Sequence, residues 1–157
     1  MIKTVHGDVL AESNCVIAHC VNCLGVMGGG IARQIRAEYP DAYDVYRETL
    51  DNDLLVLGSV SYAYIPASES MGHKIIANAA GQEKTGFPER QVDYDAVRTC
   101  FFYINDAMKI FKHEFGITNL YFPLFGCGLA GGDWKVVSEI IIEEVSEEWN
   151  PTLFLYP

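Results

Sequence analysis

The chain has 157 residues, half of them hydrophobic and a fifth charged, which is the composition of a globular protein. At this length one domain over residues 1–157 is predicted, with a core that needs neither a metal nor a disulfide. The formal charge of −10 argues against nucleic acid as the main partner, because binding a phosphate backbone depends on Lys and Arg side chains. It does not exclude a small anionic ligand held by backbone N–H groups.

The cysteines and the N-terminus indicate the cell compartment. There are five cysteines, an odd number, and Cys15, Cys100 and Cys127 lie in apolar runs, which favours buried reduced thiols over a disulfide framework. The first ten residues lack the apolar core of a signal peptide, and no stretch approaches the roughly 20 apolar residues of a membrane span. We therefore predict a soluble cytoplasmic protein with no membrane partner.

Strands and helices alternate in the first half of the chain. An opening strand ends at Gly7, and the β-branched segment 14–21 forms a second, central strand. After a glycine-rich loop, apolar residues recur at helical spacing as far as Pro40, and a second helix begins at Asp41. Two further strands are predicted, the second of them buried: residues 58–65 and 74–81.

The second half continues the same alternation. The polar segment 82–92 contains Gly and Pro and is predicted to be a loop. From Asp93 to Phe115, apolar residues step by three and four, the strongest helical pattern in the sequence. The remaining elements are a buried strand, a second glycine-rich loop, a helix and a closing strand: residues 119–125, residues 126–133, the helix from Trp134, and residues 152–156.

This order of elements predicts an α/β fold with a mostly parallel sheet that is covered on both faces. In such sheets ligands bind outside the carboxyl ends of the strands. The two glycine-rich loops, residues 24–30 and 126–133, each follow a predicted strand and precede a helix. If the strands are parallel, both loops lie at the same edge of the sheet.

The cysteines offer one alternative site. Cys20 and Cys23 could form a redox pair, or could bind iron and sulfur together with Cys15. However, Cys15 lies inside a strand, no second paired cluster supplies a fourth ligand, and a redox pair belongs at the start of a helix. We therefore expect no metal and no cofactor, and interpret these cysteines as packing or loop residues.

The glycines Gly28, Gly29 and Gly30 match neither a dinucleotide fingerprint nor a P-loop. Residues without side chains nevertheless let backbone N–H groups approach a ligand, and the following helix directs its positive dipole end at an anion. A single loop of this kind is usually only a turn. Two such loops facing each other would suit a diphosphate.

Five polar side chains lie beside these loops or strand ends, and all but Asn22 have two possible roles. His19 is either a hydrogen-bonded core residue or an acid/base catalyst, and Asn22 stands next to it. Asp133 either caps a helix or orients a water, and Lys84 either lies in solvent or contacts the ligand. Asp8 either caps the following turn or accepts a hydrogen bond from an amine or a ribose hydroxyl.

Three segments, HGDVL, AHCVNCLGVMGGGIARQI and FPLFGCGLAGGDW, resemble a macrodomain, the ADP-ribose-binding module, in their order and spacing. The resemblance runs over essentially the whole chain. It implies a three-layer α/β/α sandwich with a central mixed, mostly parallel sheet. It also implies that ADP-ribose lies in a cleft at the strand ends.

The resemblance assigns positions to individual residues. It implies that Asp8 and the Val9 amide bind adenine, that Asn22 faces the distal ribose, and that Tyr156 is placed to stack on adenine. It further implies that both loops surround the distal ribose and the diphosphate through ten residues: Gly28, Gly29, Gly30, Ile31, Phe125, Gly126, Cys127, Gly128, Leu129 and Ala130.

Within the family, the first loop most resembles the branch that contains ADP-ribose 1″-phosphate phosphatases, terminal ADP-ribose glycohydrolases and Appr-1-p processing proteins. In the phosphatases a histidine at the position of His19 is implicated in catalysis. The glycohydrolases use an aspartate where this chain has Ala130. They also use a lysine near the position of Gln82, with Lys84 close by. The catalytic candidates are therefore His19, Asn22, Asp133 and Lys84.

The resemblance predicts a hydrolase that converts ADP-ribose 1″-phosphate to ADP-ribose and phosphate, with His19 as acid/base and Asp133 as helper. Two alternatives stay open. One is a reader that binds ADP-ribose without turnover, and the other is a hydrolase that removes ADP-ribose from protein or nucleic acid. The expected partner is ADP-ribose or a derivative, with ADP-ribosylated protein as a further candidate.

Overall fold

The computed structural model of the chain describes residues 1–85 and 89–157. These residues form six strands and four helices, together with two short 3₁₀ turns at Val9–Ala11 and Glu147–Trp149. In chain order the elements are β1 (Lys3–His6), β2 (Val16–Val21), α1 (Gly30–Glu38), α2 (Pro40–Asp51), β3 (Val60–Ile65), β4 (Lys74–Ala80), α3 (Tyr94–Phe115), β5 (Leu120–Phe122), α4 (Trp134–Glu144) and β6 (Thr152–Leu155).

The strands form one sheet in the order β1-β6-β5-β2-β4-β3. The pairs β1–β6, β6–β5, β5–β2 and β2–β4 are parallel, and β3 lies antiparallel to β4 at the edge. β2 lies between β4 and β5, where Val16 pairs with Ile75 on one side and Leu120 on the other. The predicted α/β class, the mixed, mostly parallel sheet and the central position of β2 are therefore confirmed.

Both faces of the sheet are covered. Val16 and Ala18 of β2 belong to the apolar cluster that includes α3 and α4, whereas Ile17 and Val21 belong to the cluster that includes α1 and α2. This alternation is the two-residue period of a strand, and it explains why β2, apart from His19, is apolar instead of alternating with polar residues. The result is the predicted three-layer α/β/α sandwich.

Two boundaries of the elements differ from the predicted ones, and a proline explains each difference. The second helix begins at Pro40 and not at Asp41, because proline is well suited to the first position of a helix and Tyr39 takes the capping position. The strand predicted over residues 119–125 ends at Phe122, because Pro123 has no N–H to donate to a neighbouring strand. The loop predicted over residues 82–92 is present where it is described, and residues 86–88 lie outside the described residues.

The cysteines are free thiols, and Cys15 and Cys100 are buried as expected. Cys127 is only partly buried because it lies in the second glycine-rich loop. Desolvation raises the pKa of both Cys15 and Cys20 to about 12, so these thiols stay protonated. Within the described ranges no group of three or more metal-ligating side chains is found, and no helix is both long and apolar enough to cross a bilayer.

Candidate functional site

The carboxyl ends of the parallel strands border a cleft of about 820 Å³. The residues that follow β1, β2, β4, β5 and β6 all contribute to its lining, as expected for an open α/β sheet. The first glycine loop (residues 24–30) and the second glycine loop (residues 126–133) both border this cleft. The two segments lie about a hundred residues apart in the sequence and meet because the strands preceding them run in the same direction.

Asn22 organises the first glycine loop. Its side chain is almost fully buried, and Oδ1 accepts hydrogen bonds from the N–H groups of Leu24 (3.0 Å) and Val26 (3.3 Å). Nδ2 donates to the carbonyl oxygen of Val26 at 2.8 Å, which fixes the orientation of the amide. The second Nδ2 hydrogen has no acceptor among the described residues, and Asn22 lines the cleft, so this hydrogen is available to a ligand.

Helix α2 holds the same loop from behind. The hydroxyl of Tyr46 accepts a hydrogen bond from Gly25 N–H (3.1 Å) and lies 2.6 Å from the carbonyl oxygen of Asn22 and 2.8 Å from its Oδ1. Arg47 Nη1 donates to the carbonyl oxygen of Gly25 at 3.1 Å. Gly25 has φ +79°, a backbone conformation in which any other residue would be strained, so glycine is favoured there.

The start of α1 presents open backbone donors to the cleft. The capping residue Gly29 has no side chain to satisfy the first turn. The N–H groups of five consecutive residues find no acceptor among the described residues, and all five line the cleft: Gly28, Gly29, Gly30, Ile31 and Ala32. The start of this helix therefore has a geometry that suits an anion, with backbone N–H groups as the donors and no charged side chain among them.

The second glycine loop provides a second group of donors. Gly126 and Gly131 adopt φ +70° and +76°, and Gly132 N–H donates to the carbonyl oxygen of Gly126 at 2.8 Å, which closes the loop on itself. The N–H groups of Gly128, Leu129 and Ala130 have no acceptor among the described residues. These donors face the same cleft as the start of α1 and form the second nest that a diphosphate would need.

The two loops contact each other. A Cβ on Gly29 would lie 2.8 Å from Leu129 Cδ1, so the leucine side chain packs directly over the backbone of the first loop. Leu129 is otherwise 69% exposed. The contact narrows the cleft between the two groups of donors, and it depends on the missing side chain at residue 29.

The other end of the cleft is lined by Asp8, Val9 and Tyr156. Asp8 Oδ1 accepts a hydrogen bond from Leu10 N–H (3.0 Å) and caps the short Val9–Ala11 turn. The carboxylate is exposed, so the cap leaves its second oxygen open toward a ligand. The two roles weighed for Asp8 are therefore compatible, one for each oxygen.

His19 does not lie in the cleft. The side chain is fully buried on the α1/α2 side of β2, and Nε2 is 2.6 Å from Asn78 Oδ1. Asn78 Nδ2 donates to the carbonyl oxygen of Ala42 and to Ser61 Oγ, which makes Oδ1 the acceptor and His19 Nε2 the donor. Burial lowers the pKa of His19 to about 4, so the ring is neutral near pH 7. The core reading of His19 fits this geometry, and the catalytic reading has no support from it.

Three other predicted residues do not line the cleft either. Asp133 is exposed and caps α4 by accepting a hydrogen bond from Lys135 N–H at 2.9 Å. Lys84 is exposed in a separate polar groove that it shares with Arg90. The Cys127 thiol donates to the carbonyl oxygen of Phe125. The geometry thus supports the capping reading of Asp133 and the solvent reading of Lys84.

The sequence predictions missed about half of the lining. Gln82 is mostly buried at the end of β4, where its Nε2 donates to the carbonyl oxygen of Lys84 (2.8 Å) and its Oε1 lies 3.8 Å from Cys20 Sγ. Applying the strand-end rule to β4 as well as β2 and β5 would have found it. The missed residues are Gly7, Cys20, Val21, Val26, Ala32, Gln34, Gln82, Thr85, Pro123, Leu124, Phe154 and Leu155.

The electrostatics of the cleft are simple. Among the described lining residues the ionisable side chains are Asp8, Cys20 and Tyr156, and none is Lys, Arg or His. A bound anion would therefore be neutralised by backbone N–H groups. Such donors are already fixed in place before the ligand arrives.

These features define an α/β/α protein with a cleft suited to an anionic ligand at the carboxyl edge of its sheet. The family model for the Macro domain matches residues 18–141, and the chain belongs to this family. Macro domains bind ADP-ribose.

Three comparisons place the chain within the family. It is 25% identical over 157 residues to a DNA ADP-ribosyl glycohydrolase of Mycobacterium tuberculosis, and the match covers 100% of this chain and 42% of the relative. It is 42% identical over 52 residues to an ADP-ribose 1″-phosphate phosphatase of Scheffersomyces stipitis, and this match covers 29% of this chain and 30% of the relative. The solved macrodomain of Mycobacterium tuberculosis DarG has a TM-score of 0.77 at 23% identity and covers 100% of this chain and 98% of that one. The chain thus spans about two fifths of the glycohydrolase relative.

Proposed function

We propose that the chain binds ADP-ribose in the cleft and hydrolyses the bond that joins the distal ribose to a carrier. The observation that carries the binding proposal is the pair of opposed glycine loops, whose N–H groups have no acceptors among the described residues and line one cleft. A diphosphate presents oxygens on both sides, and two facing sets of fixed donors match that arrangement.

The remaining parts of ADP-ribose are assigned to the two ends of the cleft. Asp8 accepts from the adenine amino group through the oxygen that does not cap the Val9–Ala11 turn. Tyr156, 73% exposed beside it, offers a ring for stacking on the base. Asn22 donates its open amide hydrogen to a hydroxyl of the distal ribose.

The hydrolytic part of the proposal favours a glycosidic bond over a phosphate ester. Loss of a 1″-phosphate was predicted to use His19 as the acid, but His19 is buried, neutral and hydrogen-bonded to Asn78. The glycohydrolase relative matches the whole chain, whereas the phosphatase relative matches 29% of it. Cleavage at C1″ develops positive charge on the ribose, which an anionic diphosphate held nearby would stabilise.

In the proposal Asn22 orients the distal ribose so that water can reach C1″. Lys84 lies in the separate polar groove and is given no part in this step. The resemblance to terminal ADP-ribose glycohydrolases implies an aspartate at the position of Ala130, so this chain would activate the water without that carboxylate.

A direct comparison of substrates tests the proposal. The protein is incubated with an ADP-ribosylated DNA oligonucleotide, an ADP-ribosylated glutamate peptide and ADP-ribose 1″-phosphate, and products are identified by mass spectrometry. We expect release of ADP-ribose from a carrier, reduced in Asn22→Ala. Binding of ADP-ribose without any release would make the protein a reader.

The phosphatase is the second candidate function, favoured by the 42% identity to the Scheffersomyces stipitis enzyme over its matched segment. Under this alternative the protein would release phosphate from ADP-ribose 1″-phosphate and leave both carriers intact. Phosphate release without release of ADP-ribose from either carrier would therefore replace the first proposal with the second.

A further inference from the structure

We propose that Tyr46 is a positioning residue for the distal-ribose end of the cleft. Its hydroxyl holds the amide of Asn22 and the first glycine loop in the conformation that receives the distal ribose. The inference rests on the proposed binding of ADP-ribose and adds the residue that prepares one end of the site for it.

Among the described residues, all hydrogen bonds of the Tyr46 hydroxyl go to the first glycine loop and to Asn22, two residues before it. The oxygen accepts from Gly25 N–H at 3.1 Å, and its single hydrogen is shared between two acceptors of Asn22, the carbonyl oxygen at 2.6 Å and Oδ1 at 2.8 Å. One buried hydroxyl thus joins both ends of the turn from residue 22 to residue 25. Desolvation raises the pKa of Tyr46 to about 12, which keeps the hydrogen in place at ordinary pH.

The effect on Asn22 is specific. Oδ1 is held by Tyr46 and by the N–H groups of Leu24 and Val26, while Nδ2 is held by the carbonyl oxygen of Val26. Because oxygen and nitrogen each have a fixed partner, the amide cannot rotate by half a turn without losing these bonds. The open Nδ2 hydrogen is therefore held in one position at the cleft.

The ring and the hydroxyl of Tyr46 have separate tasks. The ring is fully buried in the apolar cluster on the α1/α2 face, together with Ile35 and Ala42. The hydroxyl makes no hydrogen bond to that cluster or to the sheet. Phenylalanine would keep the packing and remove only the link to the loop, so the Tyr46→Phe variant separates positioning from core packing.

Tyr39→Phe is the matched control. Tyr39 precedes α2, and its hydroxyl also makes hydrogen bonds, partly buried ones, to the carbonyl oxygen of Leu10 (3.0 Å) and with Lys74 Nζ (2.8 Å). None of its hydrogen bonds involves the first glycine loop. Both variants lose a hydrogen-bonded hydroxyl, but only Tyr46→Phe loses one that contacts Asn22.

The experiment compares ADP-ribose with ADP, which keeps the adenosine and both phosphates and lacks the distal ribose. Dissociation constants for ADP-ribose and ADP are measured by calorimetry for the wild type and both variants, with thermal unfolding followed in parallel. We expect Tyr46→Phe to raise the dissociation constant of ADP-ribose about tenfold, while the dissociation constant of ADP changes less than about twofold. Tyr39→Phe should leave the ratio of the two constants as in the wild type.

The outcomes separate the two proposals. If the wild type binds neither ligand, the proposed function fails and this inference fails with it. Suppose that the wild type binds ADP-ribose. If Tyr46→Phe then weakens the binding of both ligands equally, or the binding of neither, the hydroxyl has only a structural role and this inference alone is overturned. A change in the ratio for Tyr46→Phe but not for Tyr39→Phe supports it.

Discussion

At the scale of single residues, His19 shows how burial and one hydrogen bond set the protonation state of a side chain. The imidazole has its Nε2 hydrogen bonded to Asn78, and its buried Nδ1 has no partner among the described residues. A proton on Nδ1 would place a charge in a site without a compensating group, so the neutral form is favoured. This explains the direction of the shift, from 6.5 in a free side chain to a pKa of about 4.

This shift predicts how stability depends on pH. Because the folded-state pKa lies below the unfolded one, His19 contributes stability above about pH 6.5 that is lost as the pH falls toward 4. The loss from this group is about 3 kcal/mol at pH 4. Urea unfolding measured between pH 7.5 and 4 should show it. His19→Gln keeps a donor for Asn78 and cannot titrate, so it should lose less stability over the same range. Equal losses in both proteins would contradict the assignment.

Asp8 carries a second prediction at the residue scale. Asp8→Ala should weaken ADP-ribose binding ten- to a hundredfold, on the order of a lost hydrogen bond to a charged group. Asp8→Asn is the matched control, because its amide oxygen can still cap the Leu10 N–H while the charge is gone. If Asp8→Ala weakens binding and Asp8→Asn does so nearly as much, the carboxylate itself contacts the ligand. Full binding by Asp8→Asn would mean that only the cap matters.

At the scale of elements, the two loops at the ends of β2 and β5 are shaped by glycines with different tasks. Gly132 lies so close to the carbonyl oxygen of Gly126 that a Cβ would come within 2.5 Å of it, whereas a Cβ on Gly128 would meet no described residue within 4 Å. Gly132 is therefore needed for the closed form of the second glycine loop. Gly128 leaves space at the cleft.

Alanine substitutions should separate these tasks. Gly132→Ala should lower the free energy of unfolding by about 1–3 kcal/mol, because backbone atoms must shift to admit the Cβ. Gly128→Ala should cost less than about 0.5 kcal/mol, as expected for a substitution into open space. Chemical denaturation of both variants checks this. A larger loss for Gly128→Ala than for Gly132→Ala would show that the loop is not closed through the Gly126–Gly132 contact.

The presence of the helices and strands follows from local sequence patterns. The residues at which they begin and end were not always predicted correctly. The apolar period of α3 and the apolar runs of β2 and β4 were sufficient to predict them. The end of β5 at Phe122 and the start of α2 at Pro40 were set by proline and were missed, although both effects are local and could have been applied.

The site was predictable to the extent that strand direction determines it. Because β2 and β5 are parallel, both glycine loops lie at one edge of the sheet, and the cleft could be predicted from that direction. The link from Tyr46 to Asn22 could not, because it spans 24 residues and depends on how α2 packs on the sheet. The same holds for His19, whose partner Asn78 lies on the neighbouring strand.

At the scale of the whole molecule, an acidic protein contains a cleft shaped for an anion. The net charge is −10, and no Lys, Arg or His is found among the described residues that line the cleft. The overall charge repels a diphosphate, so binding must come from short-range donors at fixed positions. We propose that the N–H groups of the two glycine loops provide these donors.

Calorimetric titration with ADP-ribose, ADP and AMP checks whether these donors bind a diphosphate. We expect saturable binding of ADP-ribose at one site, with AMP binding more weakly than ADP because it lacks the second phosphate that the opposing loop would hold. No detectable heat at millimolar ADP-ribose, or AMP binding as tightly as ADP, would show that the two loops do not hold a diphosphate.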